Sequence, residues 1–338
     1  MPLSISRTRL TALLDAAAQQ QVAVVGDAML DVYLIGDVER ISPEAPVPVV
    51  RVRERRYALG GAANVAQNVC AMGARCRLVG AVGTDAGGST LRTMLEQMSV
   101  YADHLVEVER PTTTKTRVVA RAQQMVRVDE EDDSDLAPSE IARLLDAVQS
   151  AIESSDALVL EDYNKGVLVP EVIARAIAWA QARRIPIVVD PKYRNFFAYR
   201  GATVFKPNRR ELEAALGAAI NLDDPHALPE TFARLGVDHL LLTLGERGMA
   251  LLSPDGAVLR IPTMAREVYD VVGAGDTVTA YLGAMLAAGA TAAEAAVIAN
   301  YAAGVEVGKL GAATVTPAEV LASYDGFMER QEQQARTS

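Results

Sequence analysis

Aromatic residues, cysteine and histidine are all scarce in this chain of 338 residues. Only 5% of it is Phe, Trp or Tyr, while half is hydrophobic, with Ala, Val and Leu prominent. Such a composition suits buried parallel sheets better than an aromatic-rich all-β core. Cys70 and Cys76 are too few for a disulfide framework, and no CxxC or Cys/His metal spacing occurs. Both read as small core residues. His104, His226 and His239 stand apart from every candidate motif, so histidine chemistry has no carrier. A basic excess is missing too. The net charge is −10 and the pI is near 5.0, which argues against a nucleic-acid partner but not against a local anionic ligand. No uncharged apolar run reaches membrane-spanning length, since the longest, around 271–290, contains Asp276. The opening MPLSISRTRLTALLDAAAQQ lacks the apolar core of a signal peptide. It reads as an amphipathic helix with Leu10, Leu13 and Leu14 on one face. No membrane partner is expected, and a cytoplasmic location follows.

What is present is alternation. Short β-branched runs at Val22–Gly26, Arg77–Val82, Asp156–Leu160, Ile185–Asp190, Ala202–Lys206 and Asp238–Thr243 predict strands. Helical patterns cover 62–72, 88–99, 139–153, 170–183, 209–216, 276–288 and 292–307. This rhythm predicts an α/β protein with a doubly wound, mostly parallel sheet. Ligands on such sheets sit at the carboxyl ends of strands, which directs inspection to Asp27, Asp162, Asp190, Asn208 and Gly245. Residues 32–57 and 112–129 break the rhythm with alternating Val and, in the first, three prolines. They predict strands outside the main sheet, either a small β-lid or an edge hairpin without ligand role. The residues from about Met328 are polar and expected to fray, leaving a tail at 331–338.

Five clusters carry the chemistry. In Asp270–Thr277, DVVGAGDT, the small residues Gly273, Ala274 and Gly275 precede Asp276 at the start of a helix. Outward N–H groups at a helix N-terminus favour an anion, and an acid beside them can take a hydroxyl proton. The same octet also fits a Gly-rich turn with an Asp cap. In Leu59–Gly73, Gly60 and Gly61 permit close backbone approach and Asn64 supplies an amide, or the segment is a plain helix start. In KPNRRE, Asn208 and Glu211 could hold Mg²⁺ through water, or form an Asn cap with a capping-box Glu. In TLGERG, Thr243, Gly245 and Gly248 could meet nucleotide phosphates or form a hairpin turn. Asn300 with Gly308–Thr314 fits part of an adenine pocket or an ion site, K⁺ included.

Taken together, these clusters resemble the ribokinase/PfkB family of sugar kinases, collinearly over nearly the whole chain. The Gly60–Asn64 region is similar to the family's first signature and Asp270–Thr277 to its second. Val271 and Val272 stand where the family often has Thr, while the glycines and Asp276 are intact. The resemblance implies a ribokinase-like sheet with a small β-lid in a single kinase domain over 1–330. It implies Asp276 as catalytic base, with Gly273, Ala274 and Gly275 as anion hole. Asn208 and Glu211 belong by resemblance to the Mg²⁺–phosphate motif, and Thr243 and Gly245 to the ATP site. The cofactors implied are ATP and Mg²⁺.

Longer strings resemble a narrower group in the family, the heptose 7-phosphate kinases of ADP-heptose synthesis. They are ERISPEAPVPVV from Glu39, LGGAANVAQN from Leu59, KTRVVARAQQMVRVD from Lys115, EDYNKGVL from Glu161, and the stretch Asp190–Asn208. Many of that group carry a second, cytidylyltransferase-like domain. The HxGH motif of that domain is missing here, so the kinase-only form is expected. The sugar hydroxyls then need short polar groups, for which Asp27, Asp31 and Asn64 fit. The sugar phosphate needs cations, with Lys192 the first choice and Arg117, Lys165 and Arg194 behind it. Each of these could instead be a solvated surface charge. The alternating lid segments need a partner face, which predicts a homodimer through the lid. Another sugar kinase of the family, or a non-catalytic binding protein on the same fold, are the competing readings.

Overall fold

Strand β1, Gln21–Gly26, is buried along its whole length and divides two hydrophobic clusters. Val22 and Val24 belong to one, Ala23 and Val25 to the other, as a period of two residues requires. The computed structural model describes residues 5–121, 123–223, 228–265, 268–309 and 311–337. Ala122 of the second lid segment, His226, Leu310 of the Gly308–Thr314 cluster and Ser338 lie outside the described residues, as do the side chains of 334–337.

Helix α1 (Arg7–Ala17) precedes β1, capped by the Ser6 hydroxyl and burying Leu10, Leu13 and Leu14. Two long strands, β2 (Ala28–Ile41) and β3 (Pro48–Gly61), then run out from the core and back. The chain continues through α2 (Ala62–Ala71), β4 (Arg75–Gly83), α3 (Ala86–Gln97) and β5 (Tyr101–Val108). Strands β6 (Thr114–Ala120) and β7 (Gln123–Glu130) return to β2. After α4 (Pro138–Glu153) come β8 (Ala157–Glu161), α5 (Pro170–Arg183), β9 (Ile187–Asp190), β10 (Val204–Phe205), α6 (Arg209–Leu216), α7 (Leu228–Leu235) and β11 (His239–Thr243). The chain ends with β12 (Met249–Leu252), β13 (Val258–Ile261), α8 (Ala274–Ala287), α9 (Ala292–Glu306) and α10 (Pro317–Thr337).

The main sheet has nine strands in the order β13-β12-β11-β10-β9-β8-β1-β4-β5. All neighbours are parallel except β11–β12 and β12–β13. Strand β1 begins the order in both directions, so the carboxyl ends of β1 and β8 flank a crevice. The two segments that broke the rhythm form a second sheet, ordered β3-β2-β6-β7. Its ladder extends beyond the expected limits, because β2–β3 pairing continues to Ala28 opposite Gly61.

The predicted strands and helices appear with ends shifted by a residue or two. Helix α3 starts at Ala86 rather than 88 because Asp85 caps it, accepting the Gly88 N–H at 2.8 Å. The pattern reading passed over β5, β12, β13 and α7, all of eight residues or fewer, and also the 21-residue α10. The tail also needs correction. Instead of fraying from Met328, the chain stays helical in α10 to Thr337, where Arg7 of α1 holds Asp325 at 2.8 Å. Among the described residues no helix is long and apolar enough to cross a membrane.

Candidate active site

Polar side chains collect at one end of the sheet, where β1, β8, β9, β10 and β11 stop. Helix α8 points its N-terminus at the same place. Gly273 caps it at φ +96°, and a Cβ there would lie 3.0 Å from Asn64 Nδ2, so glycine is the residue that fits. The first-turn N–H groups of a helix have no partner within it and face outward.

Asp276 sits in that first turn, 6% exposed. Its Oδ2 accepts from Asn64 Nδ2 at 2.6 Å and its Oδ1 from the Tyr163 hydroxyl at 2.9 Å. Burial pushes its pKa up to about 6, against the pull of those two hydrogen bonds. Asn64 is itself fixed, since its Oδ1 accepts from Gln67 Nε2 at 2.5 Å. The Gly60–Asn64 and Asp270–Thr277 clusters therefore meet. Gly61 has φ +54°, and a Cβ there would fall 2.3 Å from the Asp27 carbonyl oxygen, so a side chain is excluded where α2 begins.

Behind Asp276 lie Glu161 and Asp190, the last residues of β8 and β9. One carboxylate oxygen from each of the three acids lies within 4.8 Å of the others. Lys206 Nζ holds Asp190 Oδ2 at 2.7 Å. Burial opposes the lysine's charge, but Asp190 and Glu161 outweigh it and hold its pKa above the ordinary value. Glu161 is fully buried with both oxygens lacking a hydrogen-bond partner. Burial, then the charges of Asp190 and Asp276, drive its pKa well up.

On the other side of the α8 N-terminus lies a cavity of about 580 Å³. Asn208, Thr243, Gly245, Gly248 and Asn300 all line it, together with Ala274 and Gly275. Residues of the third and fourth sequence clusters, with Asn300 of the fifth, thus face one space beside the start of α8. Val268 and Val271 add an apolar wall suited to a flat base. Asn300 Nδ2 is spent on the Pro262 carbonyl at 2.7 Å, holding the wall. Lys309 Nζ closes its own loop on the Thr314 carbonyl at 2.7 Å.

Several expectations move. Asn208 and Glu211 do form the capping box: Asn208 Oδ1 accepts the Glu211 N–H at 2.9 Å, and Glu211 Oε2 accepts the Asn208 N–H at 2.8 Å. The other Glu211 oxygen holds Lys192 Nζ at 2.6 Å. Both carboxylate oxygens being engaged, Glu211 fits Mg²⁺ through water rather than directly. The unpartnered oxygens of Glu161, beside Asp190, are the better fit to a hard cation.

Lys192, expected at a sugar phosphate, instead joins Glu211 and lies 5.2 Å over the Tyr163 ring. Burial opposes its charge, but Asp190 and Glu211 outweigh that and hold its pKa above the ordinary value. Asp27, expected to touch sugar, is 2% exposed and turns its carboxylate to the loop after β8. It accepts the N–H groups of Tyr163, Lys165 and Val167 at 2.8, 3.0 and 3.3 Å. Asp31 is buried and held by Arg117 Nη1 at 2.5 Å, with Gly60 packed close beneath its carboxylate. Arg194 pairs with Asp133 on the surface at 2.8 Å. His104 and His239 bond Ser150 and Ser253, away from these residues.

Sequence reasoning missed Tyr163 and Glu161. Inspection after β8 fell on Asp162, which instead accepts from the Tyr199 hydroxyl at 2.7 Å. Its neighbours on both sides carry the site. The signal that marks them is the same strand end, read one residue either way.

Comparison with known proteins shows the family. A family model described as pfkB family carbohydrate kinase matches residues 19–319. The chain is 46% identical over 317 residues to the bifunctional protein HldE of Rhodospirillum rubrum, covering 93% of the chain and 64% of that relative. It is 49% identical over 307 residues to the bifunctional protein HldE of Gluconacetobacter diazotrophicus, covering 90% and 63%. The chain therefore spans just under two thirds of the length of these relatives. Among solved structures it is similar to an Arabidopsis thaliana ribokinase complexed with ribose and ATP, with a TM-score of 0.71 at 20% identity, covering 90% of this chain and 99% of that one. Phosphofructokinase-2 from Escherichia coli, in complex with substrates and products, gives a TM-score of 0.73 at 20% identity, covering 91% and 98%. At that identity the two structures share the fold.

Proposed function

The chain belongs to the pfkB family of carbohydrate kinases, and from that premise we propose that it phosphorylates the anomeric hydroxyl of D-glycero-β-D-manno-heptose 7-phosphate with ATP. The products are the 1,7-bisphosphate and ADP, a step toward ADP-heptose for the lipopolysaccharide core. The observation that carries the reading is the buried Asp276, held by Asn64 and Tyr163 at the junction of cleft and cavity. The choice of sugar rests on the longer strings named above and on the similarity to HldE proteins over nine tenths of the chain.

In this reading Asp276 accepts the proton of the attacking hydroxyl, and its two hydrogen bonds aim the carboxylate. The first-turn N–H groups at Gly273–Gly275 face the transferring phosphoryl group and stabilise its charge. ATP occupies the cavity lined by Asn208, Thr243, Gly245 and Asn300. Glu161 and Asp190 would hold Mg²⁺, with Asn208 and Glu211 reaching it through water, and the ion would supply neutralisation of the phosphate charge. Lys192 and Lys206 balance the acids around it. K⁺ belongs to the same reading, beside Gly308–Thr314. A cytoplasmic location goes with the use of ATP.

We also place a homodimer contact on the second sheet. Ile41, Val126 and Val128 are 60%, 50% and 50% exposed there, an apolar surface that a partner would cover. Sedimentation as a monomer at micromolar concentration would remove this contact.

The test is ADP release with ATP against a panel of sugars and sugar phosphates. Turnover confined to the heptose 7-phosphate supports the assignment. Turnover of ribose or fructose, with none of the heptose phosphate, replaces it with another sugar kinase.

A further inference from the structure

Two lysines, Lys115 in β6 and Lys165 in the loop after β8, share one carboxylate. Lys115 Nζ lies 3.0 Å from Glu131 Oε2, and Lys165 Nζ lies 2.8 Å from Glu131 Oε1. The lysine side chains are only 18% and 15% exposed, more sheltered than the usual surface pair. Lys115 also reaches Asp129 at 3.3 Å, but Asp129 is already shared with Arg127 at 2.9 Å. Three cations thus face two carboxylates, in a protein whose net charge is −10.

We propose that Lys115 and Lys165 form the cradle for the phosphate carried by the sugar substrate, and that this phosphate replaces Glu131 as their shared anion. This rests on the reading of the substrate as a sugar phosphate. A phosphate monoester carries nearly two negative charges and three acceptor oxygens at neutral pH. Exchanging the single charge of Glu131 for it balances the three cations. Its oxygens can bridge two ammonium groups as the carboxylate does.

The position fits. Lys115 pairs across the ladder with Asp31, the polar residue at the Gly60 turn. Lys165 stands two residues after Tyr163, whose hydroxyl holds Asp276. The backbone N–H of Lys165 is fixed by Asp27 Oδ2 at 3.0 Å, and Arg110 donates to its carbonyl. The cradle is therefore built on tied backbone, at the lid end of the cleft from the base. Glu131 itself follows the last residue of β7 and takes part in no ladder pair. It can swing away without breaking the second sheet.

Lys115→Met and Lys165→Met, with Lys→Arg controls, are assayed for KM toward heptose 7-phosphate and toward ATP. Losing one charged hydrogen bond predicts a roughly tenfold or larger rise in the sugar-phosphate KM, with the ATP KM held. Glu131→Gln removes the competing anion, so its sugar-phosphate KM falls. In parallel, calorimetry measures binding of inorganic phosphate and glycerol 3-phosphate to wild type and to the methionine variants. If wild type turns over no phosphorylated sugar but binds these esters and the variants do not, the heptose assignment fails while the cradle stands. The cradle is overturned by a sugar-phosphate KM within twofold of wild type in both methionine variants, or by equal ester binding in all proteins. It is overturned equally if Glu131→Gln weakens the substrate as much as losing a lysine. Should the methionine variants not fold, Glu131→Gln and ester binding to wild type decide the question alone.

Discussion

Asn64 Nδ2 donates to Asp276 Oδ2 at 2.6 Å across 212 positions of sequence. One residue belongs to the helix that follows the Gly60–Gly61 turn, the other to the first turn of α8. Their contact ties the first turn of α2 to the first turn of α8. With the Tyr163 hydroxyl on the other oxygen, it fixes the direction in which the carboxylate presents its remaining lone pairs.

Asp276→Asn should fold, bind ATP and lose turnover by roughly 10²–10⁴-fold, the range for a missing general base. Steady-state kinetics beside an ATP-binding titration measures this. Near-wild-type turnover would remove Asp276 from the mechanism.

The base must be ionised to act, and burial raises its pKa to about 6. The rate kcat/KM should therefore fall as pH drops through about 6, where an ordinary carboxylate would hold its plateau to about 4. The Tyr163 hydrogen bond lowers the Asp276 value, so Tyr163→Phe should move the acid limb to higher pH. Loss of rate in that variant should be largest near pH 6 and smallest near pH 8. A pH profile unmoved by the substitution would show that Tyr163 does not tune the base.

Lys192 pairs with Glu211, which caps the helix start at Asn208 on the nucleotide cavity. Lys192→Ala should raise KM for ATP several-fold and leave KM for the sugar phosphate near its wild-type value. A rise confined to the sugar phosphate would return Lys192 to the role its sequence position first suggested.

Gly273→Ala places a Cβ at φ +96° and 3.0 Å from Asn64 Nδ2. The strain should cost about 1–3 kcal/mol of stability, read by thermal unfolding. It should also lower kcat, because the intruding methyl displaces the amide that holds Asp276.

Much of this was legible in the residues. Val22 to Val25 alternate between two hydrophobic clusters, and local β-branched runs are enough to call such a strand. The octet around Asp276 was legible as a Gly-rich helix start bearing an acid, while its use as a base rather than a cap came from the resemblance to the family's second signature. What misled was chemistry that is locally ambiguous. Asn208 and Glu211 at three-residue spacing serve a capping box and a cation site equally, and the structure shows them spending both roles' atoms on the cap and on Lys192. Asp27 and Lys192 follow strands as functional residues do, yet the one turns to backbone amides and the other to Glu211.

Neighbours along the chain dictate the alternation of strands and helices, the Gly-rich turns and the acid at the head of α8. Which polar groups meet is set by the fold in three dimensions. Asn64, Tyr163 and Asp276 come from three distant segments, and Glu161 has its pKa driven up by burial beside two other acids. Side-chain pairing and desolvation depend on spatial neighbours, and a chain order does not specify those until the sheet has brought its strand ends together.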